Sequence, residues 1–188
     1  MTAIAKLIPT SSQTVGPYFR IGLDQLIERS EPQHSNSGCI AVHGQVFDRD
    51  GAPVPDAMLE FWSAADAAQG SPADTSRPEF PLGFARASTD LDGSFSLVIR
   101  RPASLALDDG HAQAPHLLVL VFARGLLRHL ISRVYLEDEA GNAADPLLNE
   151  IPPDRRSTLI AQLENDRAGS YRWNVVLQGR NETVFFAW

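Results

Sequence analysis

From residue 39 onward, apolar and polar positions alternate with a period of two in short runs separated by turn residues, the pattern of half-buried strands. Residues 40–48 place Ile40, Val42 and Val46 on one face, and residues 49–55 form a turn cluster. Residues 58–62 form a second strand. Residues 83–89 and 94–100 flank Asp90-Leu91-Asp92-Gly93, whose Asp-Gly pair signals a hairpin. Residues 116–122 are almost wholly apolar, as in a strand buried on both faces. Residues 130–136 alternate again, and 171–177 and 183–186 close the chain. A helix is expected over 154–163, after Pro152-Pro153. Short strands with frequent turns predict an all-β fold, an antiparallel β-sandwich with one or two short helices.

Residues 1–38 read as an N-terminal arm, and 39–188 as the sandwich. Residues 8–19 carry turn chemistry, 21–27 one or two helical turns, and 31–38 a loop. The arm cannot bury enough apolar surface by itself, so it must lie on its own body or on a partner.

Composition narrows the field. Of 188 residues, 44% are hydrophobic and 21% charged, which excludes wholesale disorder. Sixteen Lys and Arg against 23 Asp and Glu give a net charge of −7, which disfavours a sequence-blind grip on nucleic-acid phosphates. The longest apolar run, 117–123, is far short of the ~20 residues of a membrane helix. Cys39 is the single cysteine, so no intrachain disulfide and no thiolate metal cage can form, and a structural role is expected of it. The first residues lack the apolar stretch of a secretory leader, and a reduced cytoplasmic setting is expected.

Candidate chemistry is sparse. His34, His43, His111, His116 and His129 show no zinc-ligand spacing, and no G-x-S-x-G nucleophile elbow occurs. His116 opens the most apolar strand after Pro115. It reads either as a ligand or as a strand-end histidine bonded to a loop. In 130–136, Leu130, Ser132, Val134 and Leu136 share the core face, and Ile131, Arg133 and Tyr135 the other. Arg133 is then either a solvated strand arginine or a planar donor fork aimed at a carboxylate. The acidic run 136–150 lacks the register of a calcium loop and reads as a solvated loop.

Two sets of motifs carry a family resemblance. The stretch 44–57 (GQVFDRDGAPVPDA), Leu59-Glu60-Phe61-Trp62 and Thr89-Asp90-Leu91-Asp92-Gly93-Ser94-Phe95 resemble the transthyretin-like sandwich of carboxypeptidase regulatory domains and intradiol ring-cleavage dioxygenases. Ser12-Gln13-Thr14-Val15-Gly16-Pro17-Tyr18, Ala114-Pro115-His116, Phe122-Ala123-Arg124-Gly125, Arg133-Val134-Tyr135 and the terminus 178–186 (QGRNETVFF) are more specific. Together they resemble the alpha chains of those intradiol dioxygenases that cleave 3,4-dihydroxybenzoate with O₂.

The resemblance implies an Fe(III)-dependent enzyme in which an alpha chain pairs with a homologous beta chain that holds the iron by two tyrosines and two histidines. This chain departs from that ligand set. His116 matches the first histidine of the H-x-H pair, but Leu118 stands at the second. Ala68-Gln69-Gly70-Ser71 and Ala103-Ser104-Leu105 stand where the tyrosines would fall. The resemblance therefore implies no metal and no catalytic residue in this chain alone. It implies a pocket wall in which Thr14, Gly16, Pro17 and Tyr18 line the substrate from the arm and Arg133 neutralises its carboxylate. The competing reading is a non-catalytic transthyretin-like binding or structural module.

Overall fold

The computed structural model describes residues 10–30, 38–63, 83–108, 110–165 and 169–187, with side chains of the first segment as far as Leu23. Eleven strands occur among them. They are β1 (Cys39–Phe47), β2 (Met58–Trp62), β3 (Phe84–Ser88), β4 (Ser94–Arg100), β5 (Leu105–Ala106), β6 (Ala112–Gln113), β7 (His116–Phe122), β8 (Leu130–Leu136), β9 (Ile160–Leu163), β10 (Ser170–Arg172) and β11 (Val175–Val176). Helices are α1 (Gly16–Ser30), α2 (Pro146–Glu150) and α3 (Pro153–Arg156), with 3₁₀ turns at Ala140–Ala144 and Ser157–Leu159.

The ladder runs β3-β2-β7-β8-β9-β10-β1-β4, with β11 also on β1, so that one sheet folds over on itself into two packed layers. Its inner faces meet in one core. Val42, Val46, Phe95 and Leu97 come from one layer, and Leu59, Phe61, Val119, Val121 and Val134 from the other. Phe61 packs its ring 6.1 Å from Phe95 and meets Trp173 edge-on at 6.5 Å. The expected all-β sandwich is present. Three pairings, β1 with β10, β1 with β11 and β8 with β9, are parallel.

Four local expectations change, one of them the strand expected over 183–186, where Phe186 forms only an isolated bridge to Ile131. The Asp-Gly turn forms, with Gly93 N–H bonded to Asp90 O at 2.9 Å and φ of 75° at Gly93. It does not close a hairpin, because β3 pairs with β2 and β4 with β1; the turn carries the chain between layers. The helix expected over 154–163 ends at Arg156, and Ile160–Leu163 is strand β9. Its β-branched start is captured by the open edge of β8, a tertiary pairing that outweighs local propensity. The strand expected over 171–177 is broken into β10 and β11. Trp173 crosses directly over Gly44, where an added Cβ would lie 1.7 Å from the Trp173 carbonyl oxygen, and Asn174 Oδ1 takes the Gln45 N–H at 3.0 Å.

In the arm, α1 begins at Gly16, well inside the stretch read as turn chemistry, and is 15 residues long. Pro17 signals a turn, but proline is equally suited to a first helical turn, where its missing N–H has no intrahelical partner to lose. The described part of the arm lies on its own body. α1 packs along β3, and the Phe19 ring lies tilted 5.0 Å from that of Phe122. Cys39 is half-buried and free at the start of β1. No described helix is long and apolar enough to cross a membrane.

Candidate functional site

β7 and β8 pair antiparallel with Leu118 opposite Arg133 and His116 opposite Tyr135. The inward face of β8, Ser132, Val134 and Leu136, lies in the core as the period-two reading requires. The opposite face is not simply solvated. Tyr135 is fully buried in a second, smaller cluster with Ala114, Leu148 and Leu159, formed where residues 140–160 and the C-terminal segment fold over β8.

Arg133 sits at the edge of this cover. Its Nη1 donates to Gln113 Oε1 at 3.2 Å and to the Tyr135 hydroxyl at 3.4 Å. Its Nε is buried with no hydrogen-bond partner among the described residues, and no described carboxylate pairs with it. A guanidinium carries five donors in a planar fork. Here neutral groups engage only Nη1, so the fork retains donors for a carboxylate.

The neighbours hold this geometry. The Tyr135 hydroxyl donates to Asp145 Oδ1 at 3.2 Å. Asp145, wholly buried, also accepts the Leu148 N–H at 2.9 Å as the N-cap of α2 and the Ala114 N–H at 2.8 Å. Burial pushes the Tyr135 phenol up to about 12. His116 Nδ1 donates to Ala114 O at 2.8 Å, and its ring lies 5.3 Å from that of Tyr135. Burial holds its imidazole below the ordinary histidine range, and the Arg133 cation adds to the effect.

The arm residues fall elsewhere. Thr14 Oγ1 accepts the Gly125 N–H at 3.0 Å, in the β7–β8 turn. Gly16, at φ of 61°, and half-buried Pro17 open α1, and Tyr18 is 81% exposed. Arg133 makes no hydrogen bond to the described part of the arm. It stands three residues past Leu130 along β8, about 10 Å at the strand rise. Among the described residues, then, the fork and the arm have different hydrogen-bond partners.

A dioxygenase family model matches residues 16–179, and the chain belongs to the intradiol dioxygenase family. Among its relatives is the protocatechuate 3,4-dioxygenase alpha chain of Burkholderia cepacia, 42% identical over 94% of this chain and 96% of that one. The alpha chain of the Pseudomonas putida enzyme is 39% identical over 96% and 98%. The beta chain of the B. cepacia enzyme is 28% identical over 92% of this chain and 77% of its own length. Among solved structures, 3-chlorocatechol 1,2-dioxygenase from Rhodococcus opacus 1CP shares the fold, with a TM-score of 0.59 at 20% identity over 93% of this chain and 69% of that one.

The resemblance implies ferric iron for the family, and the described donors of this chain do not fit it. His116, whose Nδ1–H is held by a backbone carbonyl, could offer Nε2 as a single imidazole donor, but Leu118 offers no lone pair and the Tyr135 phenol is held neutral against Asp145, so the described residues supply at most one of the four ligands. Ala103, Ser104 and Leu105 carry no phenol, and residues 68–71 lie outside the described residues. No group of three His, Cys, Asp or Glu able to hold a metal occurs among the described residues.

Sequence reasoning missed Asp145 and Gln113. Asp145, read as part of a solvated acidic loop, has a retrospective signal: Asp-Pro is the pairing of an N-cap with a first-turn proline. Gln113, in a two-residue strand, has none.

Proposed function

We propose that this chain is the metal-free alpha subunit of a protocatechuate 3,4-dioxygenase. It walls the pocket in which a homologous beta chain, holding Fe(III), cleaves 3,4-dihydroxybenzoate to 3-carboxy-cis,cis-muconate with O₂. The observation that carries this reading is near full-length likeness to alpha chains at 39–42% identity, together with Leu118 where the iron-binding pattern needs its second imidazole. The 28% likeness to a beta chain supports a pair of homologous subunits.

In this reading residues 1–38 are a partner-contacting arm, and Thr14, Gly16, Pro17 and Tyr18 line the pocket. Arg133 supplies the fixed cation that an anionic substrate needs on leaving water. The unengaged donors of its fork suit a ring carboxylate. The setting is cytoplasmic.

Co-expression with a homologous chain bearing P-x-H-x-H and two ligand tyrosines tests the reading. The complex is expected to be coloured by ferric phenolate and active on 3,4-dihydroxybenzoate, and this chain alone colourless and inactive. Stoichiometric iron and ring cleavage in the isolated chain would refute the assignment.

A further inference from the structure

The segment 14–20 is tied at both ends to the same β7–β8 turn. At one end Gly125 N–H donates to the Thr14 hydroxyl at 3.0 Å. At the other, one carboxylate serves two guanidinium groups. Arg20 Nη1 of α1 meets Asp56 Oδ1 at 3.0 Å, and Arg124 Nη2, next to Gly125, meets Asp56 Oδ2 at 3.1 Å. Between these ties Phe19 packs its ring, tilted, against Phe122.

The support under Asp56 is stiff. Among the described residues Asp56 alone carries a side chain other than glycine's hydrogen at positive φ, 62°. Its loop is pinned from below by fully buried Thr89. The Thr89 hydroxyl donates to Val54 O at 2.8 Å and accepts the Ala57 N–H at 2.9 Å, and the Thr89 N–H reaches Ala57 O at 2.9 Å. Aspartate tolerates left-handed backbone better than most side chains, but glycine would meet that demand without strain. Backbone conformation alone therefore does not explain a carboxylate here. The two arginines do.

We propose that Asp56 is a positioning residue. Its split carboxylate fixes the arm segment 14–20 against the β7–β8 turn before any partner arrives, so that the pocket wall is preformed in the free chain. The consequence for substrate rests on the pocket role proposed above for residues 14–18. Ordering a segment in advance removes that entropy cost from the binding step, so loss of the clamp should appear in KM rather than in kcat.

The test uses Asp56→Gly, which keeps the backbone conformation, and Arg124→Gln, which opens half of the clamp at a largely exposed side chain. Amide hydrogen exchange is read over residues 14–20 of the full-length chain. Kinetics are read on the complex with the iron-bearing chain. The expected result is exchange at least fivefold faster at 14–20 in Asp56→Gly and a smaller increase in Arg124→Gln, with Tm shifted by no more than about 4 °C. KM for 3,4-dihydroxybenzoate should rise about three- to tenfold with kcat within twofold. Unchanged exchange at 14–20 in Asp56→Gly would overturn the proposal. Faster exchange with unchanged KM would uphold the clamp and refute the pocket role of the arm instead. Should Asp56→Gly fail to fold, Asp56→Asn, which also accepts positive φ, carries the same readouts.

Discussion

Tyr135 donates its phenolic hydrogen to Asp145 across 3.2 Å, and both side chains are wholly buried. The same carboxylate holds the backbone N–H groups of Ala114, just before β7, and Leu148, in α2. One acid thus fastens the cover over the outer face of β8 and sets the place of His116 and Arg133. Asp145→Ala would leave two interior N–H groups without an acceptor, and we expect a loss of ~3 kcal/mol in chemical denaturation. Tyr135→Phe removes one donor and should cost ~1 kcal/mol.

Tyr135 also predicts an alkaline limit. Its phenol ionises near 10.0 when unfolded and at about 12 when folded. Between these values the unfolded state has lost a proton that the folded state keeps, so this contribution is full below 10 and falls away as pH rises toward 12. Tyr135→Phe should flatten that decline in Tm against pH. Burial raises Tyr171 as well, so part of the slope should remain.

His116 predicts the opposite limb. Burial holds its folded imidazole below the ordinary value of 6.5. As pH falls, the unfolded state takes up a proton that the folded state refuses. The stabilisation is therefore complete above 6.5 and fades as pH drops through the folded value. Proton NMR should show His116 titrating below the ordinary value of 6.5, and His116→Gln should weaken the acid dependence of Tm. A His116 signal titrating at or above 6.5 would contradict its buried, Nδ1-donating placement.

What the sequence reveals follows the range of each interaction. The faces of β1 and β8 are legible because alternation is local, and Leu118 is informative because a short motif fixes its register beside His116. Three features depend on distant segments. β9 exists because the edge of β8 is open, which nothing in residues 160–163 declares. The break between β10 and β11 depends on Gly44, far away in sequence, admitting the Trp173 backbone. The burial of Asp145 depends on Tyr135 being covered, so an acidic run that looks solvated hides an interior cap. The arm is half legible, since too little apolar surface to bury by itself requires contact with a body, but no local signal identifies Asp56 as the anchor.

Gly44 makes the long-range case testable. A Cβ there would lie 1.7 Å from the Trp173 carbonyl oxygen and 2.6 Å from its carbon, and both are backbone atoms that cannot swing aside. Accommodating alanine means parting β1 from the Trp173 segment, whose N–H bonds His43 O at 2.9 Å. We expect Gly44→Ala to cost ~3 kcal/mol or more, seen as a lowered denaturation midpoint or loss of soluble chain. A variant as stable as the parent would show that the crossing is looser than the distances imply.

The role proposed for Arg133 is testable through substrate choice. In the proposed complex its free donors face a ring carboxylate, and removing them deletes a charge-assisted hydrogen bond in a partly buried pocket. We expect Arg133→Ala to cost ~1.5–3 kcal/mol of substrate binding, a rise in KM of roughly ten- to a hundredfold. Arg133→Lys keeps the charge without the fork, so its KM should lie between the two. Catechol, which lacks the carboxylate, should scarcely distinguish parent from variant, because the lost interaction has no counterpart on it. The iron lies in the other chain in this reading, so the colour of the complex should not change. A bleached centre with an unaltered KM would place Arg133 near the metal's support rather than the substrate, and would sink the role given to it.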